Sequence, residues 1–247
     1  MTTRIISNTH ARSLYFELSV NSLLYSLEGQ DVPVTLVIQD PDTETIKLAE
    51  KYMEHPNVDV LYVKDNTKFA GVSIALKWHK PDTLVIWQDD LIAPAKFRQM
   101  CPNWVMEWKE LLLGYDIVTM RIGTSNLPYK FVFDKAGVPS AVFKDWSMYN
   151  TSIGLPLFLC QPCMMKTSFY WSCWNDGPKA AIDGGMLQKA KRMAVMECEC
   201  YHMSWNQAMD GYNDRAQWAT GFNLGIEEVE VKSLNTNEVR IIRLEKE

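Results

Sequence analysis

The sequence predicts an α/β fold with a mixed, mostly parallel sheet flanked by helices. Three observations predict it. Short β-branched runs alternate with segments of helical period through the first 95 residues, and each run ends in a polar loop. With 247 residues, 47% of them hydrophobic, the chain can bury the core of one large α/β domain.

Arg4 to Thr9 reads as the first strand, running into a polar loop. Ser13 to Leu27 carries Leu14, Leu18, Leu23, Leu24 and Leu27 at helical spacing and closes at Gly29. Val32 to Ile38 is the second strand, and Asp42 or Thr43 caps the helix that follows, centred on Ile46 to Met53. Val58 to Val63 is a strand, Phe69 to Trp78 a helix and Leu84 to Trp87 a strand. Right-handed crossovers gather the loops after these strands on one edge, bringing Thr9, Asp40, Asp65 and Asp89 to a shared crevice.

Beyond Pro94 the pattern loosens. Phe97 to Leu113 reads as one helix, Asp116 to Arg121 as a strand, and Phe131 to Val142 as a hairpin turning at Lys135-Ala136-Gly137-Val138. Leu157 to Met165 is expected as a buried strand, Ile182 to Arg192 as a helix and Ala194 to Cys200 as a strand, with β alternation from Ile226 to Leu244. We expect one domain over 1–247 with a specialised C-terminal part.

A net charge of -5 excludes a global basic field for nucleic acid or anionic membranes. No apolar run approaches the roughly 20 residues of a membrane span, and no export signal opens the chain, so a cytoplasmic protein is expected. Its six cysteines are then reduced. Cys160-Gln-Pro-Cys163 has the spacing of a zinc pair, but it follows a buried-strand pattern, and cysteine as a small core residue is the better reading.

The most informative segment is Leu84-Val85-Ile86-Trp87-Gln88-Asp89-Asp90-Leu91, an apolar run ending in two adjacent carboxylates. Uncompensated burial of such charges costs several kcal/mol. At the carboxyl end of a strand, where α/β sheets keep their ligand crevice, two acids can hold a divalent metal and through it a phosphorylated substrate.

Four segments together resemble the nucleotide-sugar-dependent glycosyltransferases of the GT-A fold, a Rossmann-like architecture, and particularly the broad family 2 type. They are Asn21-Ser22-Leu23-Leu24, Val37-Ile38-Gln39-Asp40-Pro41-Asp42, Asp65-Asn66-Thr67-Lys68-Phe69-Ala70-Gly71, and Ile86 through Pro94. The resemblance covers roughly the first 95 residues and implies Mn²⁺ or Mg²⁺ as cofactor, a nucleotide-sugar as donor, 1–95 as the nucleotide-sugar-binding half and 96–247 as the acceptor-binding and catalytic half. It assigns the uracil or ribose to Asp40, with Asp42 as the neighbouring alternative and helix capping as its other role. Asp65, Asn66 and Lys68 match the loop that holds the nucleotide, although Lys68 reads more readily as a solvated surface lysine.

The family's Asp-x-Asp metal motif falls on Gln88 and Asp90, with Asp89 between, so the first acid is replaced. Asp90 then carries the metal, and Gln88 and Asp89 lie at the donor. His202, just past a strand, matches a further metal ligand, although a lone histidine among aromatics is often structural. The remaining histidines are weaker: His10 follows the first strand, and His55 and His79 read as surface connections. Asp183, before a helix, matches the base that deprotonates the acceptor hydroxyl and reads equally as an N-cap.

The resemblance implies transfer of one sugar, from a UDP-sugar, onto a saccharide, protein or lipid hydroxyl, or onto a hydroxymethylated base in phage DNA. Trp171, Trp174, Trp205 and Trp218 could line a sugar platform or fill the core. Two alternatives share the fold: nucleotidyl transfer onto a sugar phosphate, which lacks its Gly-rich N-terminal loop here, and a binding module without catalysis.

Overall fold

The computed structural model describes residues 2–10, 13–65, 67, 70–122, 162–173, 189–190, 192–202 and 227–244. Its N-terminal elements follow the expected alternation: β1 Thr3–His10, α1 Ser13–Ser26, β2 Val34–Gln39, α2 Thr43–Tyr52, β3 Val58–Val63, α3 Ala70–His79 and β4 Thr83–Gln88. Then come β5 Leu91–Ile92, α4 Ala95–Met100, α5 Trp104–Leu111, β6 Ile117–Ile122, β7 Cys163–Lys166, α6 Thr167–Cys173, β8 Met193–His202, β9 Glu228–Ser233 and β10 Val239–Arg243.

The strands order as β10-β9-β3-β2-β1-β4-β7-β6-β8-β5. Strands β3, β2, β1 and β4 pair in parallel, whereas β7 lies antiparallel between β4 and β6. β9 runs antiparallel to β3, so the tail of the chain extends the sheet beside its N-terminal part. The order doubles back at β1, which sits between β2 and β4, a switch point of the kind at whose carboxyl ends α/β sheets keep their ligand crevice.

Both faces of the central strands β2 and β4 are covered, which is why they are apolar along most of their length, whereas β9 alternates buried and more exposed residues near the edge. One core layer joins Ile6, Val37, Leu61 and Ile86 to α3 and α6; the other joins Ile5, Leu36, Ile38 and Trp87 to α1, α2, α4 and α5. Successive residues of β1 therefore serve opposite layers. Gly29, at φ 86°, turns the chain out of α1, with Gln30 N–H donating to Leu27 O at 2.8 Å.

Several expectations are corrected. The helix read over Phe97 to Leu113 is two helices: Pro102 has no N–H and pushes Cys101 out of helical geometry, to φ -134° and ψ 65°. The strand read over Leu157 to Met165 is seen as Cys163–Lys166, residues 157–161 lying outside the described set, and α6 follows it at once. Most of the helix expected over Ile182 to Arg192 also lies outside, but Arg192 itself is no longer helical. It exchanges hydrogen bonds with Asp116 on entry to β8, its N–H reaching Asp116 Oδ2 at 3.0 Å. The hairpin at 131–142 lies outside the described residues.

His79 ends α3 rather than lying in a surface connection. Its Nε2 sits 3.5 Å from Arg4 Nη1, and Arg4 is paired with Asp59. Burial first, then the Arg4 charge, lowers its pKa from 6.5 to about 4, with Asp59 opposing and Arg240 assisting. As pH falls from 6.5 toward 4, the unfolded chain takes up a proton on this ring before the folded one does, so stability declines through that window. In His79→Gln the difference between urea midpoints at pH 7 and pH 5 should shrink; an unchanged difference would remove His79 from the acid response.

Candidate active site

The carboxyl edge of β1 and β4 is assembled from α1 as much as from the sheet. Trp87 Nε1 donates to Ser19 Oγ at 3.0 Å, and Ser19 Oγ donates to the Gln88 carbonyl at 3.0 Å. One turn on, Ser22 Oγ accepts the Ala93 N–H at 3.1 Å. Two serines of one helix thus bracket the turn that carries Asp89 and Asp90. Asn21, between them, accepts from the Tyr52 hydroxyl at 2.8 Å and ties α1 to α2.

Asp89 and Asp90 are only 6% and 5% exposed. Thr9, the penultimate residue of β1, is 1% exposed and donates its hydroxyl to Asp89 Oδ2 at 2.6 Å. Thr9 therefore acts within the strand, not from the loop after it. A buried hydrogen bond to a carboxylate is worth about 1.5–3 kcal/mol. Thr9→Val, which keeps the shape and loses the donor, should lower stability by about that amount in thermal unfolding. A variant as stable as the parent would show that Asp89 does not depend on this bond.

The other predicted residues are spread along the same edge. Gln88, half-buried, ends β4 opposite Asn8 of β1. Asp40, exposed, follows β2 with φ 38°, held by its N–H to the Val63 carbonyl at 2.9 Å. Asp42 caps α2, its Oδ1 accepting the Thr45 N–H at 2.7 Å. Asp65 is exposed just after β3, while Asn66, Lys68 and Asp183 lie outside the described residues.

His202 is not past β8 but its last residue, because the strand runs on to pair with β5. The register sets Leu91 against His202 and Ile92 against Tyr201. This brings the backbone of His202 beside the residue that follows Asp90. Among the described residues no three His, Cys, Asp or Glu side chains cluster as a metal site. Cys163, Cys173 and Cys200 are buried, as expected of core cysteines, and burial pushes the Cys200 thiol pKa up. Trp171 is buried against Tyr170, with ring centroids 5.3 Å apart; Trp174, Trp205 and Trp218 lie outside the described residues or their side chains do.

Sequence reasoning passed over Asn8, Ser19 and Gln39. Gln39 ends β2 fully buried, gives its amide N–H to Asn8 Oδ1 at 2.6 Å and accepts the Thr67 N–H at 2.8 Å. A signal for it existed: both β2 and β4 end in Gln followed by Asp, Gln39-Asp40 and Gln88-Asp89.

The doubled-back sheet and its two helical layers make an α/β fold of the GT-A type. The solved structures similar to it agree. S. aureus TarS 1-349 matches with a TM-score of 0.56 at 16% identity, covering 83% of this chain and 61% of that one. Its complex with UDP-GlcNAc matches at 0.56 and 17%, covering 86% and 62%. The mannosyltransferase PcManGT from Pyrobaculum calidifontis, in complex with GDP-Man and Mn2+, matches at 0.55 and 15%, covering 81% and 56%. The chain thus spans about three fifths of the length of these structures. No family model and no curated protein matches the sequence. No described helix is long and apolar enough to cross a membrane.

Proposed function

We propose that this chain is a metal-dependent glycosyltransferase that moves one sugar from a nucleotide-diphospho-sugar, a UDP-sugar, to an acceptor hydroxyl. The observation that carries the reading is the buried Asp89-Asp90 pair at the switch point of a GT-A sheet. Two adjacent carboxylates that α1 and β1 hold in place are a hard-oxygen donor set, which fits Mg²⁺ or Mn²⁺. When bound, such an ion supplies Lewis-acid stabilisation of the leaving diphosphate.

In this reading Asp90 holds the ion, with His202 as a further ligand, and Asp89, steadied by Thr9, lies at the donor with Gln88. Asp40 meets the base or ribose. Asp65, Asn66 and Lys68 line the nucleotide from the segment after β3, and Asp42 keeps to the helix it caps. Asp183 takes the proton of the acceptor hydroxyl as it attacks the anomeric carbon. The halves 1–95 and 96–247 act as one domain, a reading supported by the β3–β9 pairing of tail with N-terminal sheet. Similarity to the TarS complex with UDP-GlcNAc supports a UDP-linked donor, and similarity to PcManGT with Mn2+ supports the metal. The acceptor is a saccharide or a hydroxymethylated base in DNA.

The test is a panel of UDP-sugars incubated with Mn²⁺ and candidate acceptors. Release of nucleoside diphosphate is expected. Release of pyrophosphate from a nucleoside triphosphate and a sugar phosphate would instead establish nucleotidyl transfer, and binding of UDP-sugars without any turnover would establish a binding module.

A further inference from the structure

We infer that Asn8, Gln39 and Thr67 form a positioning network that clamps the segment after β3 to the carboxyl edge of the sheet and thereby sets donor affinity. The inference rests on the proposed function, in which that segment meets the nucleotide.

The hydrogen-bond directions follow from one atom. The main-chain N–H of Thr67 can only donate, so Gln39 must turn its amide oxygen toward Thr67, where it also accepts the Thr67 hydroxyl. The Gln39 amide nitrogen then faces Asn8, which must present its oxygen. Three segments distant in sequence, the end of β1, the end of β2 and the residue between β3 and α3, are thereby locked through one side chain.

Gln39 is 0% exposed and Thr67 2%, so neither surfaces to touch a ligand. Their effect reaches the donor through Asp65, exposed two residues before the anchor. Gly71 shows how tightly the arrangement closes. A Cβ there would lie 2.5 Å from Asn8 Cγ and 3.0 Å from Gln39 Nε2, as well as overlapping Asn8 Oδ1. Helix α3 therefore starts directly on top of the network, and a Cβ at Gly71 would force Asn8 to give way. A Thr67 anchor set before the donor arrives spares binding the cost of fixing it.

The test measures UDP affinity by calorimetry, with KM and kcat for a UDP-sugar, in Gly71→Ala, Thr67→Val and Thr67→Ser. In an ordinary helix Gly→Ala stabilises. Here Gly71→Ala should raise Kd and KM about tenfold or more, with a smaller change in kcat. Thr67→Val should weaken binding in the same direction, and Thr67→Ser, which keeps the hydroxyl, should return to within about threefold of the parent. Should Gly71→Ala fail to fold, the Thr67 pair decides. Parent-like UDP affinity in Gly71→Ala or Thr67→Val overturns the positioning role, as does a Thr67→Ser no better than Thr67→Val. A parent protein that binds no UDP or UDP-sugar overturns the functional reading itself, and the network then has no donor to serve.

Discussion

Asp90→Asn is expected to lower UDP-sugar turnover by roughly 10³-fold or more while leaving the protein folded. The substitution keeps the shape of a side chain that is 5% exposed in the turn between β4 and β5, and it removes one negative charge. In the proposed site that charge holds the ion which stabilises the leaving diphosphate, a contribution of several kcal/mol. Each 1.36 kcal/mol is about a factor of ten in rate, so the loss compounds quickly. Stability should move the other way or not at all, because a buried carboxylate close to Asp89 is itself costly to hold. Mn²⁺ titrations of turnover and thermal unfolding on the same preparations separate the two effects. Turnover within a few-fold of the parent, at unchanged Mn²⁺ dependence, would sink the role given to Asp90.

What could be read in the sequence, and what could not, divides by the distance over which the interactions act. The four parallel strands and the acid pair were legible because each strand is a local apolar run covered on both faces, and Asp89-Asp90 interrupts one of them. The Asp42 cap was legible too, being contained within four residues. The break at Pro102 was legible in principle, but the flanking apolar spacing outweighed it. Helix α6 went unread because Thr167–Cys173 is too short to show a helical period, and its run Phe169-Tyr170-Trp171 suits a strand as well as a helix. The true end of β8 depends on its partner β5, a two-residue strand with no pattern of its own. The Asn8–Gln39–Thr67 network and the serine brackets from α1 were invisible for a related reason. They join residues 28 to 71 positions apart, through a register that only the folded sheet defines.

The largest effect on stability is expected outside the acids, in the aromatic stack beneath them. Trp104 is 0% exposed and packs against Trp87, Phe97 and Trp108, with ring centroids 6.2, 5.8 and 5.0 Å away. Through it α4 and α5 press on β4 at the residue before Gln88, the same Trp87 whose indole N–H is fixed by Ser19. Trp104→Ala opens a cavity that three rigid rings cannot fill, and it should cost about 3–5 kcal/mol, a large part of the roughly 5–15 kcal/mol of a typical domain. Trp104→Phe should cost clearly less. It retains a ring among the neighbours, and it removes an indole N–H that has no hydrogen-bond partner among the described residues, so the smaller volume is partly offset. Urea unfolding of both variants measures the difference. If Trp104→Ala proved no more destabilising than Trp104→Phe, the stack would be a filler rather than a support. If instead Trp104→Ala lost UDP affinity at temperatures where it is still folded, the stack would prove to hold the Gln88-Asp89-Asp90 turn in place as well as the core.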